Sequence, residues 1–148
     1  MQIAVIGAGS CDAETAQTAY EVGREIAARK AVLLTGGLGG VMEAASRGAK
    51  EAGGLVIGVL PAARRHAANP YVDVEVVTNL GHARNVILAH SADALIAVAG
   101  EYGTLSEIAV ALKLGKPVIG LGTWEIKGVI AASTAPEAVR LALQRMGG

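Results

Sequence analysis

The chain has 148 residues with 13 basic and 13 acidic side chains, for a formal net charge of zero. This length suits one domain with a sizeable core, and the charge balance argues against a nucleic-acid surface, which needs a basic excess. Charged residues are 18%, apolar residues are 52% and Phe is absent; such a chain fits either a homo-oligomer (dimer or tetramer) that hides surface in an interface or a well-buried monomer.

Cys11 is the only cysteine, so there is no internal disulfide or cysteine cluster for zinc, and a reducing cytoplasm is the simplest setting. The opening MQIAVIGAGS is too short for a signal peptide and lacks its basic start. No apolar run approaches the roughly 20 residues of a membrane span.

In chain order, Ile3–Ile6 reads as a buried strand ending in GAGSCDAE. Asp12 caps a helix from about Ala13 to Arg29, with Ala16, Ala19, Tyr20, Gly23, Ile26 and Ala27 facing inward. Val32–Leu34 is a second strand, followed by TGGLGG and a helix over Val41–Ala52 that Gly53 and Gly54 stop. Val56–Leu60 is a third strand, closed by Pro61, and AARRHAANPY is a loop. Val74–Val77 is a short strand, and GHARNVILAHSA reads as a helix. Ala94–Val98 is the almost wholly apolar run expected at the centre of a parallel sheet. A helix follows GEYGT and runs to about Leu114. Val118–Leu121 is a strand, GVIAAS is a candidate last strand, and TAPEAVRLALQRM is a helix capped by Thr134 with Pro136 in its first turn.

Strands alternating with helices predict an α/β, three-layer Rossmann-like domain over residues 1–148, with a mostly parallel sheet and helices on both faces. Ligands of such sheets bind at the carboxyl ends of the strands, where strand order reverses. Three glycine clusters fall at strand ends: Gly7–Gly9, Gly36–Gly40 and Gly100–Gly103. The first begins like a dinucleotide fingerprint, but Asp12 stands at the third glycine position. The second strand ends in Thr35 rather than the ribose-binding acid. No cluster is followed by Lys-Ser or Lys-Thr, which excludes a P-loop. The backbone N–H groups of TGGLGGVME and GEYGT, each opening a helix, instead suit a phosphorylated small molecule. Glu101 opposes that reading unless it points away, because a carboxylate repels a phosphate.

Two side chains stand out. Arg84, near a helix start where a cation opposes the helix dipole, is either a solvated arginine or faces an anion, a ligand phosphate or Glu107. Thr104 and Glu107 have capping-box spacing, so Glu107 is either a helix cap or an acid. An Arg–carboxylate pair in such a cleft could support an oxocarbenium-like transition state.

Several residues carry a plainer expectation. Arg64, Arg65 and His66 form a basic loop, either solvated or closing over an anion. His82 is a candidate site residue and His90 a partly buried structural one, and the three histidines lack metal-ligand spacing. Cys11 is a small turn residue with no activating base. Trp124 either packs at the domain edge or stacks on a heterocycle.

These motifs resemble a known family. TGGLGGVMEAASRGAKEAGG is similar to the G-G-x-x-G-L-M-G…A…G-G segment of the LONELY GUY (LOG) family. GHARN resembles its M-H-x-R-K motif and AGEYGTLSE its P-G-G-x-G-T-x-x-E motif, within a likeness from Ile3 to about Leu121. Members, long labelled "possible lysine decarboxylases", include phosphoribohydrolases that release the base from nucleoside 5′-monophosphates. By position, the resemblance implies that Arg84 and Glu107 are the catalytic pair of any hydrolase. It also implies a ligand held by Gly36, Gly37, Gly39 and Gly40 and by Gly100, Gly103 and Thr104. Gly7, Gly9, Ser10, Met42 and Asn85 complete the candidate binding set.

The departures are Ala99 for the proline, Glu101 for a glycine and Asn85 for the lysine, together with a shorter C-terminal end. With VIGAGSC at the start and LGKPVIGLGTW late, the chain looks closer to the short molybdenum-cofactor carrier-like branch, whose members are oligomeric and bind a phosphorylated pterin. The expectation is therefore a cytoplasmic carrier of a pterin-like or nucleotide-like phosphorylated ligand, the molybdenum cofactor or a nucleoside monophosphate, with no catalytic cofactor, metal, nucleic acid or membrane. The alternative is a LOG-type phosphoribohydrolase. The decarboxylase label lacks support: Lys30, Lys50, Lys113 and Lys116 fall in or at the ends of helices, away from the glycine turns, and Lys127 falls in a loop.

Overall fold

Burial on both faces dictates the sheet. A computed structural model describes residues 1–146. Its strands are β1 (Gln2–Ile6), β2 (Val32–Thr35), β3 (Val56–Leu60), β4 (Val74–Val77), β5 (Ala94–Val98), β6 (Val118–Leu121) and β7 (Val129–Ala131). All seven run parallel in the order β4-β3-β2-β1-β5-β6-β7. The central strands are apolar at nearly every position because helices cover both sides. Ile3 and Val5 of β1 with Ile96 and Val98 of β5 face one core, and Ala4 and Ile6 with Leu95 and Ala97 face the other.

The first core is closed by α1 (Ala13–Ala28), α2 (Val41–Glu51) and α5 (Ala135–Arg145), and the second by α3 (Arg84–Ser91) and α4 (Tyr102–Lys113). The expected α/β, three-layer Rossmann-like architecture is therefore observed, with a sheet that is wholly rather than mostly parallel.

Asp12 caps α1 through Thr15 N–H (2.8 Å) and Thr134 caps α5 through Glu137 N–H (3.3 Å), as their sequence positions predict. Three readings change. The buried stripe of α1 is Ala19, Val22, Gly23 and Ile26, while Ala16, Tyr20 and Ala27 are half-buried, so the face is rotated toward Val22. The segment read as one helix from Gly81 begins with a 3₁₀ turn, Gly81–Ala83, before α3. Helix α4 begins at Tyr102 with Glu101 as its N-cap, so Thr104 lies inside the first turn and forms no capping box with Glu107.

The sheet order places the site. The chain winds outward from β1 to β4, then returns across β1 to lay β5, β6 and β7 on its other side. The carboxyl ends of β1 and β5 therefore flank the point where strand order reverses. Behind this edge, α1 and α2 cross at backbone contact. A Cβ added to Gly48 would stand 2.0 Å from the Tyr20 carbonyl oxygen, and one on Gly23 2.0 Å from that of Ala45. Gly48→Ala is therefore expected to force the helices apart at a cost of about 1–3 kcal/mol, measured as a lower urea midpoint at unchanged m-value. An unchanged midpoint would mean that the crossing has slack.

Candidate functional site

At the crossover edge, five segments enclose a cavity of about 510 Å³. The turn after β1 contributes Gly7, Ala8, Gly9 and Ser10, the start of α2 contributes Met42, and Pro61 follows β3. The 3₁₀ turn and α3 bring Gly81, His82, Arg84 and Asn85, and the end of the β5 turn with α4 brings Glu101, Gly103, Thr104 and Glu107.

Gly7, Gly9, Ser10, Met42, Arg84, Asn85, Gly103, Thr104 and Glu107 are thus brought together as the sequence predicts. Gly36, Gly37, Gly39, Gly40 and Gly100 stand behind the wall instead. Gly40 (φ 61°) leaves room for the Ala8 carbonyl, which a Cβ would approach to 2.3 Å, and Gly39 packs against the Gly9 carbonyl. Gly37 meets Leu60, and Gly100 meets Thr104. The TGGLGGVME segment is also partly spent: Val41 N–H donates to the Ala8 carbonyl (3.0 Å) and Gly37 N–H to Thr35 Oγ1 (3.4 Å). At α4, in contrast, the N–H groups of Tyr102, Gly103 and Thr104 take no protein acceptor among the described residues.

Arg84 is the first residue of α3 and only 8% exposed. Its guanidinium lies over Gly36, where a Cβ would come within 2.2 Å of a terminal nitrogen. Its Nε–H is buried without a partner, and its charge faces the helix dipole unfavourably. Burial holds the guanidinium below its usual pKa, with Glu107 pulling the other way, yet an arginine remains charged. Glu107 is 6% exposed, and burial pushes its carboxyl up to about 7 against the opposing pull of Arg84. The two are not in direct ion-pair contact among the described residues. The cleft therefore holds a buried cation with spare donor capacity beside a carboxyl poised near neutrality.

Asn85 joins the two helices through Nδ2–H to Ser106 Oγ (3.4 Å), and that hydroxyl donates to the Gly103 carbonyl (2.7 Å). Glu101, whose direction the sequence leaves open, lines the cleft. The missed residues Ala8, Pro61 and Gly81 belong to turns at the same strand edge; the proline that ends β3 was the available signal.

Other candidates lie elsewhere. His82 lines the cleft, whereas His90 is exposed rather than partly buried, because it sits on the outer face of α3. Cys11 is exposed, and partial burial and Asp12 hold its thiol above the usual range. Arg64, Arg65 and His66 are exposed outside the cleft lining, and the segment read as a loop forms a 3₁₀ turn over Arg65–Ala67. Trp124 and Lys127 line a separate cavity of about 440 Å³. No lysine lines the cleft; Lys116 donates to the carbonyls of His90 and Ala92, and Lys50 pairs with Asp73.

The profile described as the SLOG cluster4 family matches residues 1–146. An uncharacterized protein of Archaeoglobus fulgidus is 54% identical over 94% of this chain and 92% of its own. Among solved structures, the molybdenum cofactor binding protein from Rippkaea orientalis superposes with a TM-score of 0.92 at 41% identity, covering 97% of this chain and 95% of that one. The molybdenum cofactor carrier protein from Chlamydomonas reinhardtii gives 0.87 at 38% identity, covering 99% and 98%. The cytokinin riboside 5′-monophosphate phosphoribohydrolase LOG of Oryza sativa subsp. japonica is 37% identical over 61% of this chain, and the match spans only 38% of that enzyme.

The raised pKa of Glu107 has a defined consequence for stability. The unfolded chain releases this proton near the ordinary value of 4.5, whereas the folded protein keeps it until about 7. Between these values the native state binds more protons, so the Glu107 contribution to stability falls as pH rises and levels off above 7. Glu107→Gln removes that loss, so the variant is expected to gain on the wild type progressively from pH 5 to 8, by up to about 3 kcal/mol. Urea unfolding at a series of pH values measures the difference; a pH-independent difference would refute the burial of an ionisable Glu107.

Proposed function

The chain belongs to the SLOG cluster4 family, and we propose that within it this protein binds and carries the molybdenum cofactor, a phosphorylated pterin, in the cleft at the sheet crossover. The observation that carries the proposal is Arg84: a buried guanidinium with an unpartnered Nε–H, lining a cavity large enough for a small heterocycle. A buried charge is costly unless paired, and a ligand phosphate would supply the pair. The free N–H groups opening α4 add donors aligned with a helix dipole. The proteins named for this cofactor match almost the whole chain, which supports a carrier over an enzyme. Gly7, Gly9, Ser10, Met42, Asn85, Gly103 and Thr104 would form the walls, with the glycines of the second turn as their support. We further propose that the protein is cytoplasmic and works as a homo-oligomer, in keeping with its low charge content; no helix among the described residues is long and apolar enough to cross a membrane.

A second reading rests on Glu107. A carboxyl near 7 beside a cation suits general acid catalysis, and the cleft could accept a nucleoside 5′-monophosphate whose N-glycosidic bond is hydrolysed.

Incubation of the purified protein with nucleoside monophosphates, with assay of free base and ribose 5-phosphate, separates the readings. The carrier predicts no turnover and molybdenum or pterin retained from cells that make the cofactor; turnover abolished by Glu107→Gln would establish the hydrolase.

Arg84 should trade stability against binding. Arg84→Met is expected to unfold at equal or higher urea concentration, because it removes an unpaired buried charge, and to lose retained pterin at least tenfold. Undiminished retention would remove Arg84 from the site. Gly103 offers an independent test, since a Cβ there meets nothing within 4 Å. Gly103→Leu should fold normally and fill the cleft, and unchanged ligand retention would place the ligand elsewhere.

A further inference from the structure

Glu101 is a carboxylate in a cleft otherwise suited to an anion. It lines the same cavity as Arg84, and its side chain is exposed. It is the N-cap of α4 yet makes no side-chain cap bond, and it takes no other side-chain hydrogen bond or ion pair among the described residues. Its main chain, in contrast, is fixed. The Glu101 carbonyl accepts from Leu105 N–H (3.0 Å) and from Trp124 Nε1–H (3.1 Å), and the indole packs against Tyr102 at 5.9 Å between ring centroids. The aromatic pair thus holds the turn while leaving the carboxylate free.

A phosphate cannot be its partner, since like charges repel. Arg84 lines the same cavity with a guanidinium that no carboxylate pairs among the described residues, which makes it the anion subsite, so Glu101 faces another part of the ligand. An ionised carboxylate only accepts hydrogen bonds, and its two oxygens match two adjacent donors. A 2-amino-4-oxopyrimidine ring, the head of a pterin or guanine, has such an edge in its N3–H (N1–H in guanine) and 2-amino group. Adenine sets a ring-nitrogen acceptor beside its amino group, which a carboxylate repels.

We propose that Glu101 is the specificity-determining residue of the cleft, accepting paired hydrogen bonds from the N–H and 2-amino group of a 2-amino-4-oxopyrimidine ring whose phosphate lies at Arg84. This rests on the reading of the cleft as a pterin-phosphate site and adds which edge of the ring is recognised.

The test compares a 6-alkylpterin bearing a terminal phosphate with the matching lumazine phosphate, which has a 2-oxo group in place of the 2-amino group and an N1–H, and keeps N3–H. Each is titrated into the full-length protein by calorimetry and by the fluorescence of Trp124, the only tryptophan. The wild type is expected to prefer the pterin by about tenfold or more, since the lumazine sets an acceptor against the carboxylate. Glu101→Gln, which can donate to the 2-oxo group, should erase or reverse that preference, and Glu101→Ala should erase it. Equal wild-type affinities, or a preference unchanged in both variants, would overturn the assignment while leaving the pterin-phosphate reading intact. Binding of neither compound to the wild type would overturn both.

Discussion

Arg84 enters the protein under three penalties at once. It is more than nine-tenths buried, it opens a helix whose dipole repels it, and no carboxylate contacts it directly. The surroundings are arranged around this charge. Gly36 lacks the Cβ that would collide with the guanidinium. The reversal of strand order between β1 and β5 opens the gap into which the arginine projects. Asn85, the next residue, ties α3 to α4 through Ser106, which keeps the two walls of the cleft in register.

The same charge separates the roles of the two glutamates. Glu107 is buried, and although Arg84 favours its ionised form, desolvation is larger and leaves it near neutrality. In its protonated form it can donate to a phosphate rather than repel it. Glu101 is exposed, lines the same cleft and makes no side-chain bond among the described residues. One cleft thus holds a carboxyl that can tolerate an anion and a carboxylate that cannot. A ligand with a phosphate at one end and donor groups at the other satisfies both.

Much of this architecture was legible in the chain. The apolar runs Ile3–Ile6 and Ala94–Val98 read as buried strands, and the glycine clusters marked the strand edge that holds the cleft, although the strand order that sets the crossover was not readable. Arg84 and Glu107 were identifiable by motif spacing. What failed was local. Thr104 and Glu107 have capping-box spacing, but α4 starts at Tyr102, three residues before the start that a Thr104 cap implies, so tertiary burial rather than capping decides where Glu107 points. The glycines of TGGLGG were read as ligand donors, although the N–H of Gly37 is taken by Thr35 and its carbonyl by Asn69 N–H. Spacing alone does not reveal such long-range partners. Nor could it show that the Glu101 main chain is held by Trp124, 23 residues further on.

The departures from the LOG-like motifs gain meaning from position. At residue 99 the motif has proline, but Ala99 adopts φ 50°, a left-handed backbone that the proline ring, fixed near −65°, cannot reach. Its carbonyl accepts from Thr123 Oγ1 (2.6 Å), and its N–H donates to Leu121. The turn is therefore bonded to the β6 side, the same side from which Trp124 holds Glu101. Asn85 in place of lysine removes one positive charge from the cleft wall, and Glu101 in place of glycine adds a negative one, so the cleft is formally two charges less positive than the motif would make it. A general attraction for polyanions is weakened, while the buried donor of Arg84 is untouched. Binding of the ligand proposed above would then rest less on field strength and more on directed hydrogen bonds.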